Sequence, residues 1–157
     1  MSRAGRTGRK GEDPLSDSAP ATWTTDSLMA AIRSSDAGER IGVSATEGTI
    51  IANMRDYGDL TIYIGISGEQ IVVSTLLWPC DEQQNADEFN RFILKAQKIV
   101  PLSNFAIADV DGRDYYELIG ELSTDSDIAT ILLELRVLAD NAISAASELR
   151  EAFAAAA

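Results

Sequence analysis

Residues 60–78 read LTIYIGISGEQIVVSTLLW, and the reading of this stretch decides the fold. Its β-branched and aromatic residues come in two runs, Leu60 to Ile64 and Ile71 to Trp78, which is the composition of strands. Between them Ser67-Gly68-Glu69 supplies a turn, because glycine takes the backbone angles a tight reversal demands. Upstream, Tyr57-Gly58-Asp59 is another turn and Thr49-Ile50-Ile51 another strand, so the region reads as an antiparallel meander of at least three strands. Ile41 to Ser44 is a candidate short strand ahead of it. Pro79 stops the sheet, since proline lacks the N–H that a strand interior needs.

Working outward, Thr24-Thr25-Asp26 offers a cap before Leu28, Met29 and Ile32, which share one face of a short first helix ending near Gly38. After the meander, Ala86, Phe89, Phe92, Ile93, Ala96 and Val100 recur at helical intervals and predict a second helix over 85–100, ended by Pro101. Asn104 to Val110 and Asp114 to Glu121 predict two more strands joined across Asp111-Gly112-Arg113. The last element begins at the cap-rich Ser123 to Asp127 and runs without Gly or Pro to about Ala154. The expected architecture is therefore α+β: a twisted antiparallel sheet of about five strands with helices, in the order α-β-β-β-α-β-β-α. Residues 1–22, rich in Arg, Gly, Ser and Pro, are expected to be a disordered tail, and residues 23–157 one α+β domain.

Apolar residues along the last helix fall at Ile128, Ile131, Leu132, Leu135, Leu138, Ala139, Ala142, Ile143, Ala146, Leu149 and Phe153. At about 1.5 Å per residue such a helix approaches roughly 40 Å, longer than one face of a small domain needs. The C-terminal half, Leu138, Ala142, Ala146, Leu149 and Phe153, is thus expected to cover a partner or a second copy in a homodimer. Tyr115 and Tyr116 alternate across the pleat, so one faces the core and the other, with Trp78, is a candidate aromatic anchor for a partner.

Composition restricts the chemistry. The chain carries 25 acidic and 13 basic residues, a net charge of −12, which disfavours nucleic acid and anionic membrane surfaces as partners. It contains no histidine, so Ser-His-Asp and Cys-His mechanisms are absent and the usual transition-metal ligand is missing. The single cysteine, Cys80, forms no intramolecular disulfide, and no long apolar run or signal-like segment occurs; a cytoplasmic location without membrane insertion is expected.

Several local patterns invite functional readings and fail them. Asp109-Val110-Asp111-Gly112-Arg113-Asp114 has Arg113 and Asp114 where a calcium loop needs a ligand and a glycine, so it reads as a polar hairpin turn. Asp81 and Glu82 beside Cys80 raise a thiol pKa and so oppose a nucleophilic role. Asp81, Glu82, Asp87 and Glu88 lie near the start of the second helix, where acidic residues complement the helix dipole. Neither a cofactor nor a metal site is expected.

The element order is similar to that of type III secretion chaperones and YbjN-like proteins, in which a strongly twisted antiparallel sheet is backed by helices. A sharper likeness is carried by LLWP at 76–79, EFNRFIL at 88–94, PLS at 101–103, DYYELIGELS at 114–123 and ELRVLADN at 134–141. Together these stretches, over roughly Thr25 to Leu149, resemble the bacterial YjfI-like family. No activity is established for that family, so the resemblance supplies no catalytic residue. It implies a context, since members are commonly encoded near homologues of phage-shock protein A, a coiled-coil membrane-remodelling protein. The expected function is a non-enzymatic protein-binding adaptor or chaperone-like module, with a phage-shock protein A homologue as candidate partner. The alternative is a small-ligand binder or enzyme with a pocket between the sheet and the second helix.

Overall fold

A computed structural model describes residues 22–154. The expected tail, residues 1–22, lies outside the described residues except for its last position. Thr24 caps α1 (Thr25–Ser34) reciprocally: its hydroxyl accepts from the Ser27 N–H at 3.2 Å, and the Ser27 hydroxyl accepts from the Thr24 N–H at 2.9 Å. Leu28 and Ile32, four residues apart, carry the buried face.

Six strands follow, not five: β1 (Ile41–Thr46), β2 (Thr49–Met54), β3 (Leu60–Ser67), β4 (Gln70–Pro79), β5 (Asn104–Val110) and β6 (Arg113–Ser123). The additional strand is the candidate at Ile41, extended to Thr46 because Glu47 and Gly48 both adopt positive φ, 49° and 83°, and close a two-residue hairpin onto Thr49. All neighbours pair antiparallel in the order β1-β2-β3-β4-β6-β5, so β6 lies against β4 and β5 forms an edge.

One face of the sheet is the core. Ile50, Ala52, Ile62, Ile64, Ile71, Val73 and Leu118 are fully buried and alternate with half-buried or exposed Ile51, Tyr63, Val72 and Ile119. Against this inner face lie α1, over β1 and β2, and α3 (Ile128–Ser144), over β3, β4 and β6. Between β4 and β5 comes α2 (Ala86–Ala96), which ends in a 3-10 turn at Gln97–Ile99 and reaches the same face through Phe89. Among the described residues no helix is long and apolar enough to cross a membrane.

Asp127 caps α3, accepting from the Thr130 N–H at 2.7 Å. Beyond Ser144 the helix passes through a π turn (Ala145–Leu149) into α4 (Arg150–Ala154). Here the sequence expectation needs correction. Leu138 and Ala142 do not face outward: they are 0% and 3% exposed, because α3 lies along the sheet and spends its apolar stripe on it. Ala145 takes the buried place in the stripe and Ala146 is exposed, since steps of three and of four both satisfy a period of 3.6 residues. Leu149 and Phe153 are half-buried against the same core. The apolar excess that argued for a second copy is therefore largely absorbed within the chain.

Candidate functional site

The aromatic residues singled out in the sequence do converge, but inward. Between Leu76 and Pro79 of β4 three steps oppose two on β6, from Glu117 to Tyr115. This bulge breaks the alternation and turns Trp78 onto the helix-bearing face, where it is 3% exposed. Its ring lies 5.6 Å from Tyr116 and 5.9 Å from Phe89, and Phe89 packs edge-on to Phe153 at 5.3 Å. The Trp78 indole donates to Gln83 Oε1 at 2.9 Å, and the Tyr116 hydroxyl donates to Asn90 Oδ1 at 2.6 Å. Trp78 and Tyr116 are thus core residues and not surface anchors. Tyr115 points to the opposite side of β6 as the pleat requires, half-buried, with the Arg113 guanidinium 5.6 Å from its ring centre.

An ionic rim closes this end of the sheet. Arg113 donates to Asp81 Oδ1 at 2.8 Å and Glu82 Oε1 at 3.0 Å; Arg150 donates to Glu82 Oε2 at 3.3 Å and stands 5.2 Å over the Trp78 ring. The Arg113 hydrogen bonds hold the Asp81 carboxyl below the usual carboxylate range. Burial, with Asp114 and Asp81 nearby, pushes the Cys80 thiol up, so it stays protonated and weakly nucleophilic. Burial likewise pushes the Tyr116 hydroxyl up to about 12. The polar groups are committed to one another, and Asn85 Nδ2 donating to the Phe153 carbonyl at 3.0 Å ties down α4. The cluster is a clasp for the C-terminal helix.

Beside it lies a more exposed apolar surface, whose first member, Phe92, packs on Phe153 with ring centres 5.3 Å apart. Among the described residues nine large hydrophobics are exposed, and six of them, Phe92, Leu94, Ile99, Leu102, Ile107 and Val110, fall within residues 92–110. This segment runs from α2 to the edge strand β5. Part of that edge is satisfied internally, because the Gln97 side chain donates to the Phe105 carbonyl at 3.1 Å and accepts its N–H at 2.8 Å. Leu102 adopts φ 53°, a left-handed conformation that leucine rarely takes, with its side chain 56% exposed. Its neighbours hold it there: Asn141 Nδ2 on α3 donates to the Pro101 carbonyl at 2.8 Å and to Ser103 Oγ at 2.9 Å. Backbone strain maintained by the surrounding structure is characteristic of functional positions. Sequence reasoning assigned Phe92 to the helix stripe and passed over Ile99, Leu102 and Ile107. The local signal for Leu102 was an apolar residue between Pro101 and Ser103, where a loop is ordinarily polar.

A cavity of about 480 Å³ opens elsewhere, between α3 and the corner made by the starts of β1 and the end of β2. Ile41 and Met54 form its floor, Leu132 and Leu133 one wall, and Arg40, Asp56, Tyr57 and Arg136 belong to its lining. It is not the pocket between sheet and second helix that the sequence expectation placed.

Over residues 22–153 the chain matches the family model described as an uncharacterised protein conserved in bacteria, DUF2170. YjfI of Escherichia coli strain K12 is 38% identical over 130 residues, covering 83% of this chain and 97% of YjfI, and YjfI of E. coli O157:H7 matches equally. The crystal structure of E. coli YbjN superposes with a TM-score of 0.61 over 81% of this chain and 94% of YbjN, at 8% identity, a likeness of fold. The chain belongs to the DUF2170 family, the YjfI-like proteins, on a YbjN-like α+β fold.

Proposed function

We propose that this chain is a non-enzymatic adaptor that binds another protein through the segment 92–110. The number of exposed large hydrophobics there supports the reading: six of the nine among the described residues fall in one stretch of sequence, running from α2 to β5, and large exposed apolar side chains favour contact with a partner. The tether that keeps Leu102 strained and outward adds to it, since the fold bears that cost for a side chain left 56% exposed. The first partner to test is a homologue of phage-shock protein A, the context that the resemblance to YjfI-like proteins implies, because a coiled-coil protein offers amphipathic helices to an apolar surface.

The test is direct binding of the purified chain to that homologue, measured by calorimetry. Leu102→Asp is expected to weaken the complex by roughly tenfold or more, because it places a charge at the centre of an apolar contact. Unchanged affinity in Leu102→Asp and Ile107→Asp, both still folded, refutes the surface; no binding by the wild-type chain refutes the partner.

A further inference from the structure

We propose that the cleft between α3 and the β1–β2 corner is a separate site for a small amphiphilic monoanion, a carboxylate-type head on an aliphatic body. Its volume of about 480 Å³ falls in the range of small-molecule sites, roughly 300–1,000 Å³. The floor is apolar, formed by Ile41 and Met54 at 5% and 4% exposure. The wall includes Leu133, left 40% exposed although it lines a cavity, so an aliphatic body covers apolar surface that the fold leaves open.

The head group follows from the rim. Arg136 stands one turn beyond Leu132 and Leu133 on the same helix and forms no ion pair among the described residues. Arg40 is only loosely engaged, 4.0 Å from Asp56 with both side chains well exposed. Asp36 and Asp56 share the rim, and Asp140 hydrogen-bonds the Tyr57 hydroxyl beside it, so the site admits one negative group on Arg136 but not several. A net charge of −12 adds a general repulsion against multiply charged anions. A guanidinium beside an aliphatic wall is complementary to a carboxylate on a hydrocarbon chain. The site is independent of the segment 92–110 and of any protein partner.

Octanoate, titrated into the full chain below its micelle-forming concentration and followed by amide chemical shifts, is the test. Saturable shifts are expected at Ile41, Met54 and Leu132 to Arg136. Arg136→Ala is expected to weaken binding by roughly tenfold or more, the loss of one charge-assisted hydrogen bond. Ala129→Trp, at an exposed lining position, is expected to fill the cleft and abolish it. Since the tryptophan variant can misfold, Arg136→Ala decides, being a surface change. Equal affinity for 1-octanol, unchanged binding in Arg136→Ala, shifts centred on residues 92–110, or no saturation would each overturn the proposal.

Discussion

A carboxyl group taken out of water without a partner favours its neutral form, because ionisation in a poorly polarisable interior is costly. Glu134 is such a group. It lies on the sheet-facing side of α3, 5% exposed, its Oε1 has no hydrogen-bond partner among the described residues, and burial raises its pKa from the ordinary 4.5. Gly120 of β6 makes room for it, since a Cβ there would collide with the carboxylate. The folded chain therefore holds this proton more tightly than the unfolded one. Its contribution is fully present below pH 4.5 and is lost as pH rises from 4.5 through the folded value, levelling off above it. Glu134→Gln is expected to remove that decline and to raise stability at pH 7, where the buried carboxylate is the costly form. Urea unfolding of both proteins at several pH values checks this; parallel curves would show that Glu134 is solvated. Nothing in the sequence marks Glu134, because a glutamate between Ile131 and Leu135 reads as the edge of the stripe, whereas the neighbouring strand's glycine is what lets it inside.

At the level of elements, the strongest sequence signals were the turns and caps, where chemistry is local. Thr24, Asp127 and Asp111-Gly112 do what their side chains and backbone freedom imply. The bulge at the end of β4 was not legible, since the turning of Trp78 inward depends on pairing with β6, about forty residues later in the sequence. That one irregularity converted Trp78 from candidate anchor into core beside Tyr116, which the alternation of β6 already turns inward, and the same core captures the end of the last helix. Leu149 and Phe153 pack against it, while Arg150 covers the Trp78 ring. Ending the chain after Ser144 is thus expected to lower thermal stability and, in a Trp23→Phe background, to shift Trp78 emission to the red as water reaches the ring. An unchanged spectrum would mean that α4 does not seat on the cluster. The truncation also separates two surfaces, because a partner bound through residues 92–110 is retained by a truncated chain that still folds.

Over the described residues, helices occupy one face of an open sheet and six of the nine exposed large hydrophobics fall within residues 92–110, on a chain that carries −12. The order of elements was readable in advance but for one strand, whereas neither the exposed segment nor the cleft was. Each is assembled from segments that approach only after β6 inserts beside β4 and α3 crosses the sheet. Two long-range effects then oppose each other when copies meet: the apolar segment draws them together, and the shared negative charge holds them apart. Charge repulsion between surfaces acts over about 10 Å at 0.1 M salt and about 3 Å at 1 M, whereas apolar association is not screened. Self-association of the isolated chain is therefore expected to be weak at low salt and to strengthen as sodium chloride is raised towards 1 M. Sedimentation velocity at both extremes measures it, with Leu102→Asp expected to remain at the mass of one chain throughout. If that variant associates as strongly as the wild type, the contact between copies lies elsewhere, and the half-exposed outer face of the sheet around Tyr63 becomes the surface to alter next.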